Sequence, residues 1–359
     1  MTTLSTAVSL FDEYTQRSVT LRNRIVVSPM CQYSSQDGFP NKWHEVHLAS
    51  RAIGGAALVL TEASAVVPEG RISPWDAGIW SDALAEAWGR IARLIAVNGA
   101  VPGMQLAHAG RKASSDVPWR GGGRIAASEG GWQPVAPSAV SHDPDGPAPT
   151  ALDLGGVRHV VDGFRDAAVR AAAAGFRVIE LHAAHGYLLH EFLSPLSNER
   201  HDEYGGSFDN RARLTLEVAG AVREAWPEEL PLWVRISAID WAKGGWDLDQ
   251  SVELSRRLKE IGVDLIDVSS GGLVRHQDVA VGPGYQVPFA ERIRRETGIA
   301  TAAVGLITEP EQADAIIASG QADVVLLARE MLRDPYFARR AAQVLGREVE
   351  APDQYRRAW

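Results

Sequence analysis

The sequence predicts an α/β protein: a single (β/α)8 barrel spanning residues 1–359, with a long loop after its third strand and a C-terminal tail. Three observations carry this. Eight short, apolar, β-branched runs recur along the chain, each leading to a segment of helical spacing. The runs are near-continuously apolar rather than alternating, as strands of a parallel sheet covered by helices should be. The glycine-rich turn of open, doubly wound sheets is missing: the turn after the first run is Cys31–Asn41, CQYSSQDGFPN, with no G-x-G-x-x-G.

In order, the expected strands are Ile25–Met30, Ala57–Glu62, Val101–Ala107, Arg177–Ala183, Leu232–Ser237, Asp264–Ser269, Ile299–Val304 and Val324–Ala328. The helices expected after them are Trp43–Gly54, Ser81–Asn98, Val157–Ala174, Asp209–Ala225, Asp249–Ile261, Val287–Thr297, Glu309–Ser319 and Pro335–Leu345. Gly121–Gly123 and Gly282-Pro283-Gly284 lie in loops without a strand–turn–helix context and read as turns. Ser114–Gly156, rich in Gly, Pro, Ser and Trp, is too long for a connector and reads as an excursion over the barrel mouth.

A hydrophobic fraction of 45% and a charged fraction of 23% describe an ordinary globular chain. The net charge of −9 argues against nucleic acid or anionic membranes as bulk partners. MTTLSTAVSLFDEY has neither a basic leader nor a long apolar core, and no segment reaches about 18 uninterrupted apolar residues, so a cytoplasmic location is expected. The single cysteine, Cys31, excludes an internal disulfide, a cysteine-based zinc site and a four-cysteine iron–sulfur cluster.

Functional groups of such barrels collect at the C-terminal strand ends. The densest stretch follows strand four: His182 to Arg213, HAAHGYLLHEFLSPLSNERHDEYGGSFDNRAR, holds four histidines, two tyrosines and eight formal charges. Unpaired buried polar groups cost about 1–3 kcal/mol each, so chemistry explains the cluster better than packing does. The bland reading is a pair of satisfied core histidines and a solvated loop. The other ends are also polar: Ser28-Pro29-Met30-Cys31-Gln32-Tyr33, Thr61-Glu62-Ala63, Gln105-Leu106-Ala107-His108, Arg235, Ser269-Ser270-Gly271-Gly272, Gly305 and Arg329. Gly305 and Arg329, after strands seven and eight, suit a phosphate, although a strand-ending glycine can be only a turn residue. With Gln105 able to bond a pyrimidine-like edge and Arg235 able to stabilise an anionic ring, the set describes flavin mononucleotide (FMN). Arg235 reads equally as a salt bridge inside the barrel.

The strand-four run, with NRIVVSPMCQY, QLAHAGRK and LLAREMLRDP, resembles the old yellow enzyme family of FMN-dependent ene-reductases. It is most similar to the thermophilic-like branch that includes xenobiotic reductases, and the likeness runs from about Leu10 to Trp359. The resemblance implies that Ser28, Pro29, Met30, Ala63, Gln105 and Arg235 line the isoalloxazine, and that Gly305, Ala328 and Arg329 surround the phosphate. Cys31 would sit beside the reactive part of the flavin and tune its potential; without the resemblance it reads as a small buried hydrophobe. His182 and His185 would bond the substrate carbonyl, Tyr187 would donate the proton, and Tyr33 and Ile72 would shape the pocket. One departure is Ala328, where the family often has glycine; its methyl would crowd the phosphate. NADPH or NADH would be the reductant, and an enone or enal the substrate.

The tail Asp353-Gln354-Tyr355-Arg356-Arg357-Ala358-Trp359 sets two arginines between aromatic residues, a combination enriched at interfaces. The resemblance implies a homodimer or homotetramer in which Arg357 reaches the neighbouring active site while Trp359 packs at the shared surface. Three rivals differ in kind. A metal-dependent barrel aldolase or hydrolase would use His182 and His185 as ligands with Glu180 or Glu191. An iron–sulfur dienoyl-CoA reductase type would need more cysteines than Cys31. A non-catalytic binding barrel leaves so many polar strand ends unexplained.

Overall fold

The computed structural model describes residues 8–143 and 146–359. The start of the N-terminal stretch and two residues of the Ser114–Gly156 excursion lie outside the described residues. Eight parallel strands close a barrel. In chain order they are Ile25–Val27, Leu58–Ala65, Val101–Ala107, Val178–Ala183, Leu232–Ser237, Leu265–Ser269, Ala300–Ala303 and Val324–Leu327, called strands one to eight below. Each pairs with its sequence neighbours, and strand eight closes on strand one through Leu326↔Val26. Apart from half-buried Val101 and Ala300, every residue of the eight strands is buried, which is why the runs read as apolar without alternation.

The helices lie where their spacing predicts, and their starts follow capping side chains. Ser81, Asp153, Ser207 and Asp247 each accept a backbone N–H from the first turn, worth about 1 kcal/mol apiece. Asp153 thus starts the third helix at Leu154, three residues earlier than expected. Strand two differs most from expectation. It runs on to Ala65 because its register with strand three slips between Leu60 and Ala63. Such an irregularity re-aims side chains, and here Glu62 leaves the ladder to accept from His44 Nε2 at 2.7 Å and from the Gln32 N–H at 2.9 Å. That pair fixes the backbone beside Cys31.

Several elements escape the sequence pattern. A hairpin, Tyr14–Gln16 with Val19–Leu21, closes the N-terminal end of the barrel, where Gln16 Oε1 accepts from Trp233 Nε1 at 2.7 Å and Arg17 pairs with Asp264 at 2.7 Å. Leu188–Leu193 and Arg329–Arg333 form short helices. The first is wholly buried and so shows no amphipathic period. The excursion holds 3-10 turns at Pro118–Arg120 and Ala127–Glu129 and a small strand pair, Val135–Ala136 with Thr150–Ala151. It does reach the mouth: Trp119 meets the Tyr33 ring edge-on at 5.7 Å, and Trp132 Nε1 donates to the Glu69 carbonyl at 2.9 Å. No helix among the described residues is long and apolar enough to cross a membrane.

Candidate active site

Strand four delivers His182 from inside the barrel, and the turn after it delivers His185 and Tyr187. The His182 ring meets those of His185 and Tyr187 edge-on, with centroids 5.2 Å and 4.9 Å apart. The turn is held in an uncommon shape. His185 has φ +59° and Gly186 φ +73°, and a Cβ on Gly186 would lie 2.4 Å from the Gly272 carbonyl oxygen, so only glycine allows the loops after strands four and six to touch. Lys112 ties the same loops by donating to the His185 and Gly272 carbonyls at 2.8 and 2.6 Å.

The protonation of each group follows from its partners. His182 Nδ1 accepts the Ala184 N–H at 3.3 Å, which leaves Nε2 as the N–H with no partner among the described residues. The Nε2 of His185 faces Ser269 Oγ at 2.7 Å, and its backbone N–H donates to Ser237 Oγ at 2.9 Å. Burial pushes both imidazoles well below their usual range, so at pH 7 they are neutral donors. Burial drives the Tyr187 phenol well above its usual range, so it keeps its proton.

Tyr187 also joins an apolar wall. Ile72, Ala109 and Ala113 form a small buried cluster against which Cys31, Tyr33, Trp132 and Tyr187 pack. Cys31 is half-buried, and burial raises its thiol well above the usual range. A cavity of about 220 Å³ opens above this wall, lined by Tyr33, Ile72 and Tyr187 and by Arg111, Lys112, Arg124 and Arg275.

Beneath the histidines the barrel interior is polar. Gln105 Nε2 donates to Glu180 Oε1 at 2.7 Å, and its amide oxygen has no partner among the described residues. Arg235 makes the ion pair inside the barrel that one sequence reading expects and keeps a donor free. Its Nε lies 3.1 Å from Asp267 Oδ2, an ion pair inside the barrel, and its Nη1 donates to Ser28 Oγ at 3.1 Å. The Nε contact is close but misaligned for a hydrogen bond, so it acts as a charge pair and leaves Nη2 free. Pro29 and Met30 are half-buried and Ala63 buried nearby. Beyond strands seven and eight, Gly305, Ala328 and Arg329 line a cleft of about 160 Å³. The Arg329 side chain makes no hydrogen bond among the described residues. Free donors on Arg235 and Arg329, a free acceptor on Gln105 and small residues between them fit a flat heterocycle carrying a phosphate.

The structure separates the rest of the His182–Arg213 stretch from this site. His190 is fully buried; its Nε2 donates to Asp240 at 2.8 Å while its Nδ1 accepts the Gly186 N–H at 2.9 Å. It is a satisfied core histidine that holds the turn. Asn198, Arg200 and Arg211 bond backbone carbonyls of the surrounding segments, so those polar groups are structural. Glu180 faces Gln105, and Glu191 accepts the Arg111 N–H at 2.8 Å. No group of three or more metal-ligating side chains occurs among the described residues. Arg357 is exposed at the far end of the chain, and Trp359 stacks on Tyr336 of its own chain at 6.2 Å, although it remains 41% exposed.

Sequence reasoning missed Lys112, Asp240 and Asp267, each of which holds a site residue or its loop, and gave Glu62 only as part of a polar strand end. The signal for Lys112 lay in QLAHAGRK, a polar run directly after a buried strand. Asp267 was legible as a lone carboxylate inside the apolar run Leu265–Ser269.

The profile of the NADH:flavin oxidoreductase / NADH oxidase family matches residues 9–348. The chain is 50% identical over 352 residues to an NADPH dehydrogenase of Geobacillus thermodenitrificans, covering 98% of both chains. It is similar to the solved old yellow enzyme homologue of Zymomonas mobilis, with 28% identity, a TM-score of 0.77, and 96% and 94% of the two chains covered. A 2-naphthoyl-CoA reductase is alike in fold, with a TM-score of 0.84 at 22% identity; 94% of this chain covers 52% of that one, so it spans about half its length. The chain therefore belongs to the NADH:flavin oxidoreductase / NADH oxidase family, the old yellow enzymes, and is an FMN-dependent oxidoreductase of the NADPH dehydrogenase class.

Proposed function

We propose that this oxidoreductase reduces the activated C=C bond of α,β-unsaturated carbonyl compounds in a ping-pong cycle, with NADPH or NADH reducing the flavin first. The observation that carries the reading is the ring-to-ring meeting of His182, His185 and Tyr187 beside an apolar wall, with the His182 Nε2–H free. FMN held at this seat would supply the hydride chemistry at the substrate β-carbon. As negative charge grows on the carbonyl oxygen, His182 donates to it from Nε2. His185 donates from Nδ1 when Ser269 donates to its Nε2. Neutral, preorganised donors suit this task because they are stronger toward the oxyanion than toward the ground-state carbonyl. The Tyr187 phenol then protonates the α-carbon as general acid.

Ser28, Pro29, Met30, Ala63, Gln105 and Arg235 would seat the isoalloxazine, and Gly305, Ala328 and Arg329 the phosphate. Cys31, kept as a neutral thiol, would lie against the ring and tune its potential, while Tyr33 and Ile72 shape the substrate pocket. The test is direct. Protein reduced anaerobically with NADPH and mixed with cyclohexenone should regain its oxidised flavin absorbance and release cyclohexanone. Flavin that reduces fully but stays reduced with the enone would sink the reading.

The same reading includes a homodimer, or a tetramer of dimers, in which Arg357 serves the neighbouring pocket. Its guanidinium is exposed and unpaired among the described residues, and Trp359 anchors the tail on Tyr336. In mixed dimers, one subunit lacks residues after Gln354 and the other carries Tyr187→Phe with His182→Ala. The one competent pocket then has an intact tail only from its neighbour, and activity should exceed that of the truncated homodimer. Activity no higher than that homodimer's would show that the tail acts within its own chain.

A further inference from the structure

We propose that Glu180 and Asp267 act as one unit, sharing a single proton beneath the flavin seat, and that this dyad orients Gln105 and Arg235 toward the isoalloxazine. The inference rests on the flavin seat given above. Glu180 and His182 alternate on strand four, so the carboxyl lies on the same inward face, roughly 7 Å below the imidazole. Asp267 sits in register with Arg235 on the adjoining strand. Both carboxyl groups are wholly buried, and each is within hydrogen-bonding reach of the other.

The partners do not suffice for two carboxylates. Glu180 Oε1 takes the Gln105 amide N–H, but Glu180 Oε2 and both Asp267 oxygens find no N–H or O–H donor among the described residues. The charged groups facing Glu180 are Asp267 on strand six and Arg235 on strand five. One guanidinium offsets one carboxylate. A second buried anion against the first would be left uncompensated, which costs several kcal/mol in a dry interior. One proton between the two acids removes the second charge and gives two of the three oxygens a partner, since Glu180 Oε2–H then donates to one Asp267 oxygen, and Asp267 keeps its charge for Arg235. Burial raises both acids and Arg235 lowers both, but Glu180 is pushed well above its usual range by burial and by Asp267, while Asp267 is the one that meets the guanidinium directly, so the proton belongs on Glu180.

The consequence reaches the cofactor. With Glu180 accepting its N–H, Gln105 must turn its amide oxygen the other way, toward a ring N–H. With Asp267 on its Nε side and Ser28 on Nη1, Arg235 presents Nη2. Glu180 and Asp267 are therefore positioning residues, acting through two side chains that touch the flavin.

The test compares neutral and apolar replacements in the holoenzyme. Glu180→Gln reproduces the protonated acid: its carbonyl accepts from Gln105 and its NH₂ donates to Asp267. The FMN dissociation constant and midpoint potential should stay close to the parent's, within about twofold for the former. Glu180→Leu removes a buried hydrogen bond, and FMN should bind roughly tenfold more weakly. Burial also pushes the Glu191 carboxyl up to about 8, so infrared difference spectra of parent and Glu180→Gln holoenzymes, each with and without ¹³C-glutamate, should show at neutral pH a protonated glutamic acid band that only the parent carries. Absence of that band in the parent overturns the shared proton. Equal loss of FMN affinity in the Gln and Leu variants, or none in Leu, overturns the orienting role. If Glu180→Leu fails to fold, the band and the Glu180→Gln affinity still decide. None of these readouts uses an enone, so failure of ene-reduction and failure of the dyad remain distinguishable.

Discussion

Tyr187→Phe should slow the reoxidation of reduced flavin by an enone by about 10²- to 10⁴-fold, the usual worth of a positioned general acid, while reduction of the flavin by NADPH stays nearly unchanged. The asymmetry follows from the chemistry, because only the oxidative half-reaction delivers a proton to carbon. The substitution is gentle structurally. The Tyr187 ring keeps its contacts with His182 and with the Ile72, Ala109 and Ala113 wall, and its hydroxyl holds no hydrogen bond among the described residues, so none is lost within the fold. Lys112 Nζ lies 5.5 Å from the ring centroid and would remain there. Stopped-flow absorbance separates the two half-reactions, and an equal loss in both would contradict the acid role.

The barrel was legible because its signal is additive. Strands buried on both faces leave apolar runs without alternation, and eight of them in series with helices admit few architectures. Boundaries were lost where a local interaction overrode the pattern, as at Leu60–Ala63, where Glu62 turns away to His44 and Gln32. The ring cluster after strand four was legible for a different reason: His182, His185 and Tyr187 are close in sequence, so one turn brings them together. What stayed hidden is long-range. Lys112 reaches loops some 70 and 160 residues away, and Asp267 meets Arg235 only through strand pairing. No periodicity encodes such partners. Nor could the sequence apportion the polar groups after His190, where Asn198, Arg200 and Arg211 bond backbone carbonyls.

His182→Ala should weaken phenol-type ligands and slow enone reduction by roughly 10²- to 10³-fold, the cost typical of removing one oxyanion donor. Which imidazole nitrogen carries the proton decides the donor. Because Nδ1 accepts the Ala184 N–H, the mobile proton sits on Nε2, and the donor is set before any substrate arrives. Burial holds the ring neutral, so ligand affinity should show no step as pH falls through about 6.5, where an unperturbed imidazole would gain charge. Such a step, vanishing in His182→Ala, would mean an imidazolium donor instead. The alanine also leaves the Ala184 N–H without its acceptor, which by itself could loosen the turn. His182→Gln separates the two effects, since its amide can place a donor near the former Nε2 while leaving the Ala184 N–H unserved. Ligand titrations followed by flavin absorbance should therefore rank the affinities as parent, then Gln, then Ala. Gln and Ala variants weakened to the same degree would assign the loss to the turn and remove His182 as the donor.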